Sequence, residues 1–457
     1  MAMDLRQYLD LLREKGHLVE ISRKVSPRFE LANVINTMLQ EGGPIGLFTN
    51  VDHPSGMMVT GGLLAHPERV ALALGCRVEE VNSRVEAATE NLVEPVTVER
   101  PLFLENVFQG EEVDLTRQLP IPHHNPGDGG PYITAGIVIS RDPVTGRQNY
   151  SYNRLHLKGP RRLAVMMNEW RHIAWFYREA EKRGEPLSIA VAIGMDPVVE
   201  IAAGFRIEDD EIKLAGALRG RPMELGKCAT VDIYAPQEAE IVIEGRILPH
   251  HREEEGPLAE FTGHFGEVYQ HPVVEVTALC HRHRPVYRTI VPGSFEHVYI
   301  GNVLPREPML LRFARHVSPN VKGVHLLPCT GGFMAVISLD KQNQGEPKNV
   351  ALAALMTHVN IKMALVVDTD VNIYDTGDLL WALATRVDAA RDIFTVPYAQ
   401  GMENDPTTGA DGTHTKVGID ATLDLALRKD YRRVVYPRVN LKEYLPLGAT
   451  GPISSAC

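Results

Sequence analysis

The feature that most constrains the fold is a block of short runs rich in β-branched residues between Tyr132 and about Arg288. The runs are ITAGIVIS, LSIAVAIG, ATVDIYA, AEIVIEGRIL, PVVEVTALC and PVYRTIV, and turn residues separate them. Runs of this length and composition predict strands. The block is therefore expected to form a sheet or a barrel with few helices.

One helix is predicted inside this block. Asn168 is a candidate N-cap and Gly184 a stop signal, and Ile173 and Tyr177 recur on one helical face. His172 would then lie in the first turn, where free backbone N–H groups favour an anion such as phosphate.

The two ends of the chain mix helical and extended patterns. Asp4 can cap a first helix that ends before Gly16, with a core stripe formed by Leu5, Tyr8, Leu9 and Leu12. The last third alternates helical patterns at 307–316, 349–358 and 379–390 with an apolar strand at 362–368. Both ends therefore predict α/β layers, and the Pro- and Gly-rich stretch 119–131 looks like a boundary.

Charge and cysteine content exclude several classes of protein. The formal net charge is −11, so nonspecific binding to nucleic acid or to an anionic membrane is not expected. Five scattered cysteines, none spaced as CxxC, argue against a disulfide framework or a zinc ribbon. No run reaches the ~18 apolar residues of a membrane span. These features predict a cytoplasmic protein.

An acidic stretch, HREEEGPLAEFTGHFGE at 251–267, is a candidate catalytic loop. Mutual repulsion between clustered carboxylates raises the pKa of at least one of them, which supplies a general acid near neutral pH. Arg154 could clamp one of these carboxylates with two hydrogen bonds. A solvated acidic loop and a surface arginine remain the alternatives.

A second candidate site combines Asn149, His172 and Glu224. Amide oxygen, imidazole and carboxylate suit a hard ion such as Mn²⁺ or Mg²⁺ better than structural zinc. The Asp368 and Asp370 pair after the C-terminal strand offers a rival, a Mg²⁺-dependent phosphoryl-transfer site, although no P-loop accompanies it. The alternative for these two residues is structural, with Thr376 or Asp378 capping the next helix.

Taken together, the residues resemble the UbiD family of decarboxylases. Asn149 precedes Arg154 by five residues, His172 follows 23 residues after Asn149, and Glu224 lies in MELGKC. The segment EGPLAE at 255–260 resembles the paired-glutamate loop of the family. The similarity continues through VVDTDVNIYDTGDLLWALATR and THTKVGIDAT, so it covers nearly the whole chain in order.

The resemblance implies a three-domain α/β (α+β) fold. An N-terminal α/β domain would span 1–107, a central split β-barrel flavin-binding domain 108–305, and a C-terminal α/β oligomerisation domain 306–440. Residues 441–457 would form a flexible tail. A homodimer or a homohexamer is the expected assembly.

The resemblance also implies prenylated FMN, made by a flavin prenyltransferase, as the cofactor. Its expected binding residues are Asn149, Ser151, Tyr152, Asn153, Arg154, Arg171, His172, Ala203, Phe205, Glu224 and Lys416. Asn149, His172 and Glu224 would hold Mn²⁺ or Mg²⁺ against the cofactor phosphate. A K⁺ ion would lie near Tyr150, Ala202, Ala203 and Phe205, where Ala203 can offer only its backbone.

In this family's pattern Glu260 is the proton donor, and Arg154 and Glu255 hold it in place. The expected reaction is reversible, non-oxidative decarboxylation, for which the cofactor supplies the electron sink that side chains lack. The predicted substrate is a furan- or pyrrole-type acid, and the residues expected to contact it are His297, Ile300 and Arg306. A hydroxybenzoate or acrylic-acid decarboxylase, or a noncatalytic subunit of a carboxylase complex, remain the alternatives.

Overall fold

The computed structural model describes residues 3–169, 171–402, 404–427, 430–431, 433–434, 436, 439–440 and 444. The chain divides into two compact units, one formed by 1–308 with 328–332 and the other by 309–327 with 333–457. The finer division into three domains stays a prediction. Apart from Tyr444, the predicted flexible tail at 441–457 lies outside the described residues.

Helices and strands occur in both units. The helices are α1 (Leu5–Glu14), α2 (Glu30–Gln40), α3 (Pro67–Leu74), α4 (Val81–Glu90), α5 (Leu115–Gln118), α6 (His172–Lys182), α7 (Pro197–Ala202), α8 (Glu211–Arg219), α9 (Phe295–Val298), α10 (Glu307–Val317), α11 (Glu346–Thr357), α12 (Thr376–Arg386) and α13 (Ala389–Asp392). The strands are β1 (Leu18–Ile21), β2 (Ile45–Phe48), β3 (Met58–Gly61), β4 (Val96–Val98), β5 (Asn106–Gln109), β6 (Tyr132–Ile133), β7 (Ile137–Arg141), β8 (Gln148–Tyr152), β9 (Leu155–Gly159), β10 (Arg162–Val165), β11 (Leu187–Ile193), β12 (Glu224–Lys227), β13 (Tyr234–Pro236), β14 (Ile241–Glu255), β15 (Tyr269–His281), β16 (Val286–Thr289), β17 (Val321–Leu326), β18 (Met334–Leu339), β19 (Met363–Asp368), β20 (Ile393–Gln400) and β21 (Thr413–Ala421).

A nine-stranded sheet forms the centre of the first unit. Its order is β6-β9-β10-β15-β14-β11-β7-β8, and β5 pairs with β15. The long antiparallel pair β14 and β15 bends at two register breaks, one between Glu244 and Gly245 and one between Ile247 and Arg252. The resulting half-barrel encloses an apolar core that includes Val138, Leu163, Ile189 and Ile243. The expected fold, a mixed α/β chain with a central split barrel, is confirmed.

Three features of the central block differ from the sequence prediction. The run PVYRTIV forms β16, which pairs in parallel with β3 and joins the N-terminal sheet β1-β2-β3-β16 rather than the barrel. Only the end of ATVDIYA is a strand, the short β13. Two further helices, α7 and α8, interrupt the block; Asp196 caps α7 and Pro197 begins it, which are ordinary helix start signals.

The predicted first helix and the predicted barrel helix both exist. Asp4 makes a capping box with Gln7 at the start of α1, and the predicted apolar stripe is buried. Helix α6 buries Ile173 and Tyr177 as expected, but it begins at His172 after Arg171, so the prediction that Asn168 is the N-cap was wrong. The N-cap residue Arg171 makes no side-chain capping bond, so the first backbone N–H groups of α6 lack this partner.

The second unit contains a five-stranded sheet in the order β17-β18-β19-β21-β20. Strand β19 pairs in parallel with both β18 and β21, and α11 and α12 follow the alternating order predicted for an α/β layer. Asp375 caps α12 by accepting the N–H groups of Gly377 and Asp378, so neither Thr376 nor Asp378 is the cap. Within the described residues no helix is long and apolar enough to cross a membrane.

Candidate active site

Arg154 bridges two buried glutamates in the first unit. Its Nε and Nη2 donate to the two carboxylate oxygens of Glu255, at 2.8 and 2.9 Å, and its Nη1 donates to Oε1 of Glu260. Glu255 is fully buried and Glu260 is 9% exposed. The structure therefore brings together the three residues that the sequence predicted as a catalytic network, although their roles stay a prediction.

Local backbone geometry explains how these residues meet. Arg154 lies in the two-residue gap between β8 and β9, and Glu255 is the last residue of β14. The chain then turns tightly, since the Glu260 N–H donates to the His264 carbonyl and the Gly266 N–H donates to the Leu258 carbonyl. This turn carries Glu260 back to the arginine. The neighbouring Glu254 points outward and is exposed, as the alternation of side chains along a strand requires.

Burial raises the pKa of Glu260, while Arg154 opposes that shift by charge and hydrogen bonding. The net direction is upward, so the acid form persists to higher pH than in an exposed glutamate. A carboxylic acid next to a fixed cation can release a proton and regain it without moving. The geometry thus suits Glu260 to proton transfer.

His297, on the short helix α9, lies close enough to Arg154 for the arginine charge to act on it. Burial lowers the pKa of His297 to about 4, and Arg154 lowers it further. The Gly293 N–H donates to Nδ1 at 3.0 Å, which leaves the ring hydrogen on Nε2 of the neutral imidazole. The edge of the Phe261 ring packs against His297 at 6.3 Å between ring centroids. His297 is therefore a fixed neutral donor near the glutamates.

A second cluster joins Asn149, His172 and Glu211. The Asn149 Nδ2 donates to Glu211 Oε1 at 2.8 Å and lies 3.4 Å from Nδ1 of His172, which is itself 4.0 Å from Glu211 Oε1. The Tyr150 N–H donates to the other Glu211 oxygen at 2.8 Å. Burial raises the pKa of Glu211 to about 8.

Glu211 is the residue that the sequence reasoning missed. The structure places the predicted Glu224 at the start of β12, where its Oε2 accepts from the Gln237 side chain at 3.2 Å and its carbonyl from the Gln237 N–H. The signal for Glu211 was present, since it begins a helix after Asp209 and Asp210. In the sequence alone, an acidic residue at the start of a helix is explained equally well by its favourable interaction with the helix dipole.

Arginines surround this second cluster. Burial lowers the pKa of His172, and so do the charges of Arg147, Arg206 and Arg171. Burial also lowers the pKa of Arg306 to about 9, and Arg171 adds to that shift. His172 is thereby kept neutral, the form in which imidazole binds a metal. The surrounding positive charge suits a phosphate group.

The remaining predicted cofactor residues lie in strand β8 and the gap after it, directly after helix α7, and in the second unit. Ser151 and Asn153 continue the polar face of Asn149, because Ser151 Oγ donates to Asn149 Oδ1 and the Asn153 amide donates to Ser151 Oγ. Tyr152 faces the other way, towards the charges of Glu200 and Arg288.

Ala203 is the C-cap of helix α7, and Phe205 lies two residues further along the chain. A Cβ placed on the intervening Gly204 would lie 2.6 Å from the carbonyl oxygen of Ile300, so the predicted K⁺ segment and the predicted substrate segment are neighbours. Lys416, in the second unit, donates to the carbonyls of Leu355 and His358 at 2.7 and 3.2 Å.

The rival phosphoryl-transfer site is not supported by the geometry. Arg386 donates to Asp368 at 3.0 Å and to both oxygens of Asp370 at 2.9 and 2.7 Å. The two aspartates thus share one arginine, whose side chain is 3% exposed. This arrangement is a structural ion pair rather than a set of vacant metal ligands.

The Asn149, His172 and Glu211 side chains fit a hard divalent cation. A 180° rotation of the Asn149 amide exchanges Nδ2 and Oδ1 and would direct the oxygen towards the other two groups. Oxygen, neutral imidazole and carboxylate are ligands of Mn²⁺ and Mg²⁺. No group of three His, Cys, Asp or Glu in the described part of the chain could hold a metal, and this set includes only two such residues.

Models of three successive domains of one family match the chain. They are the N-terminal, Rift-related and C-terminal domains of 3-octaprenyl-4-hydroxybenzoate carboxy-lyase, at residues 9–89, 95–295 and 299–421. Anhydromevalonate phosphate decarboxylase of Methanothermobacter thermautotrophicus is 38% identical over 94% of this chain and 99% of its own.

Two solved structures of a similar protein hold a flavin. The UbiD-class enzyme HmfF from Pelotomaculum thermopropionicum in complex with FMN is 41% identical, with a TM-score of 0.93 over 97% of this chain and 100% of that one. An evolved dimeric form of HmfF in complex with prFMN is 39% identical, with a TM-score of 0.88 over the same shares.

Proposed function

The chain belongs to the UbiD family of flavin-dependent carboxy-lyases, and we propose that it decarboxylates a small unsaturated acid with Glu260 as the proton donor. The observation that carries this proposal is the bridge from Arg154 to Glu255 and Glu260. The carboxyl group of Glu260 is buried and has a raised pKa. Because Arg154 can lie beside either the protonated or the ionised carboxyl group, Glu260 is suited to deliver a proton to carbon.

Within this proposal the three residues act differently. Glu255 accepts two parallel hydrogen bonds from Arg154, which fixes the plane of the guanidinium group. The remaining Nη1 of Arg154 then holds Glu260 in one position. Glu260 gives its proton to the carbon that has lost CO₂ and is reprotonated afterwards.

Prenylated FMN, which the HmfF complex contains, is the proposed cofactor and supplies a sink for the electron pair released with CO₂. We propose that Asn149, His172 and Glu211, rather than Glu224, hold the divalent cation that joins the cofactor phosphate to the protein. The negative Glu211 and the positive Arg171 would then face the cation and the phosphate respectively. The backbone around Ala203 and Phe205 stays the proposed K⁺ site.

The proposed substrate is a small aromatic or heteroaromatic acid that carries a second polar group. The neutral Nε2–H of His297 and the cationic Arg306 can both donate to a carboxylate or a hydroxyl group. Ile300, which is 3% exposed, would supply an apolar wall. A phosphorylated unsaturated acid is a second candidate, since a relative is named for such a substrate and Arg306 suits a phosphate equally well.

The test is reconstitution followed by a substrate panel. Protein co-produced with a flavin prenyltransferase should contain prenylated FMN, detected by its absorption spectrum and mass, and should release CO₂ from at least one acid. The panel contains furan and pyrrole carboxylates, hydroxybenzoates, cinnamic-type acids and anhydromevalonate phosphate. Failure of the loaded protein on every acid would favour the alternative of a noncatalytic subunit.

His297→Ala separates substrate recognition from cofactor binding. Because the charge of Arg154 acts on His297 and the arginines around His172 do not, the variant should keep its flavin and change its relative rates across the panel. Phe295→Ala, a neighbour on the same helix whose side chain is 40% exposed, is the matched control. Unchanged relative rates in His297→Ala would remove this residue from the proposed substrate site.

A further inference from the structure

The Pro- and Gly-rich segment that the sequence suggested as a boundary packs against the catalytic loop. We call residues 125–130 the glycine strap and residues 255–267 the glutamate loop. The Gly129 N–H donates to the Pro257 carbonyl at 2.7 Å, and Asp128 Oδ1 accepts the Ala259 N–H at 3.2 Å. The loop residues in these two contacts, Pro257 and Ala259, lie between Glu255 and Glu260 in the sequence.

Asp128 uses its two oxygens on two different backbone groups. While Oδ1 accepts from Ala259, Oδ2 accepts the N–H of Asn125, at 2.8 Å, inside the strap. The residue is 6% exposed. A buried carboxylate that accepts one N–H from each of two segments fixes the spacing between them, because loss of either bond leaves a buried donor unpaired.

The strap glycines are required by close approach rather than by backbone angle. A Cβ on Gly129 would lie 2.2 Å from the Gly256 carbonyl oxygen, and one on Gly127 would lie 2.4 Å from the Phe265 ring. Neither residue has a positive φ. At Gly129 the two segments are therefore in backbone contact with no space for a side chain, whereas a side chain at Gly127 would require the Phe265 ring to move.

The strap is itself anchored at both ends. His123 Nε2 lies 3.1 Å from the Asp128 carbonyl, and the His123 backbone pairs with Pro27 and Phe29 of the N-terminal segment. After the strap, the Tyr132 hydroxyl accepts the Gly256 N–H at 2.9 Å. A loop held in this way can transmit its position to the glutamates.

We propose that the glycine strap sets the position of Glu260 relative to the substrate carbon, with Asp128 as a positioning residue that does not itself touch substrate. This inference rests on the proposed role of Glu260. Proton transfer to carbon depends steeply on geometry, and a displacement of about 1 Å can cost on the order of 100-fold in rate. Asp128 acts by holding the Ala259 amide next to the proton donor.

Asp128→Asn is the main test, because the two backbone N–H groups bind different oxygens of Asp128 and asparagine replaces one of these oxygens by an NH2 donor. In the enzyme loaded with prenylated FMN, kcat should fall by about 10-fold or more while KM and flavin content stay nearly constant. The solvent deuterium isotope effect on kcat should rise as protonation becomes limiting. Asp142→Asn is the matched control, since Asp142 is 4% exposed and also accepts a backbone N–H, from Val144, in a loop away from the glutamates.

Gly129→Ala provides an independent variant. It should lower kcat in the same way by pushing the Gly256 carbonyl aside, whereas Gly43→Ala should have little effect, since a Cβ there meets only the Met38 carbonyl at 3.6 Å. A kcat for Asp128→Asn equal to that of Asp142→Asn would overturn the inference. Parallel loss of flavin and kcat would also overturn it, because that result indicates a general structural role.

Amide hydrogen exchange keeps this inference separate from the proposed function. Peptides covering 255–267 should exchange faster in Asp128→Asn than in Asp142→Asn, whether or not any acid is turned over. If the parent protein releases no CO₂ from any acid, the proposed function fails, and the exchange data still decide whether the strap orders the loop. Unchanged exchange would contradict the strap as a positioning device.

Discussion

Arg154 makes a different number of hydrogen bonds to each of the two carboxyl groups beside it. Glu255 receives a fork of two parallel hydrogen bonds, whereas Glu260 receives one, through Oε1. The first arrangement fixes the plane of the Arg154 guanidinium group against Glu255. The second leaves Glu260 Oε2 outside the ion pair, on a carboxyl group whose pKa burial has already raised.

The first prediction at this scale is that Glu260→Gln keeps its flavin but loses turnover by on the order of 10²-fold or more, the usual cost of removing a positioned general acid. Glutamine preserves the hydrogen bond from Arg154 in shape but has no proton to give. Exchange of the product C–H for deuterium from solvent should fall in parallel. The matched control is Glu254→Gln, an exposed residue of the same acidic run. If Glu255→Gln abolishes both activities and Glu260→Gln neither, the two roles are reversed.

A second prediction at this scale distinguishes the two candidate metal ligands. Glu211→Gln should reduce bound Mn²⁺ and flavin together, since its carboxylate contacts Asn149 and lies 4.0 Å from His172. Glu224→Gln should have a much smaller effect on both. Elemental analysis and flavin absorbance of the purified variants provide the measurement. The opposite ranking would restore Glu224 to the metal site.

At the scale of elements, the short helix α9 depends on the strand layer beneath it. Glu296 accepts the N–H groups of Gly62 and Leu64 at 2.9 and 2.7 Å and pairs with Arg288 at 2.6 Å, and both charged side chains are fully buried. Strand β16, which carries Arg288, belongs to the N-terminal sheet. The helix that presents His297 is thus fixed by the nearby Arg288 and by Gly62 and Leu64, which lie more than 200 residues away in the sequence.

We therefore predict that Glu296→Ala lowers the free energy of unfolding by about 3–5 kcal/mol, because it leaves the Arg288 charge buried and without its closest partner. Urea unfolding followed by fluorescence is the measurement. The double variant Arg288→Met with Glu296→Leu should recover only the part of the loss that comes from the unpaired Arg288 charge, since Gly62 and Leu64 still lack their acceptor and the buried Glu200 loses its cation. Equal destabilisation in both variants would mean that the lost hydrogen bonds to Gly62 and Leu64, and not the Arg288 charge, are responsible.

At the scale of the whole molecule, buried carboxyl groups make stability depend on pH. Burial raises the pKa of both Glu211 and Glu238 to about 8, from an ordinary value of 4.5. Between these values the folded state holds protons that the unfolded state has released, so stability falls as pH rises through about 8. Histidines such as His124, whose pKa burial lowers to about 3, act in the opposite sense, but only below about pH 7 where the unfolded ring is charged.

The corresponding prediction is that the unfolding temperature of metal-free protein falls between pH 7 and pH 8 and levels off at higher pH, where the folded and the unfolded states have both released the proton. Below the folded pKa the slope should be of order 1.4 kcal/mol of unfolding free energy per pH unit for each such carboxyl group. Glu238→Gln should flatten the profile, and added Mn²⁺ should oppose the fall if it binds ionised Glu211. An unfolding temperature that rises over this range would contradict the assignment.

The sequence determined the features that depend on neighbouring residues. Capping by Asp4, the buried stripe of α1, the strand at β19 and the strand-rich centre all follow from local pattern, because caps and periodicity act within a few residues. The resemblance of EGPLAE and its neighbouring motifs to the UbiD family pointed to Arg154, Glu255 and Glu260, and the structure brings these three side chains together.

Only the tertiary structure decided which distant residues meet. Strand β16 looks like any other strand of the central block, and its pairing with β3 depends on partners more than 200 residues away in the sequence. In the sequence Glu211 and Glu224 are two glutamates with equal claim to the site, and only the packing of α8 against β8 selects Glu211 as the neighbour of Asn149. The composition of the stretch 119–131 indicates turns and therefore a boundary. The contact of Asp128 with the glutamate loop depends on the folded chain and cannot be read from composition.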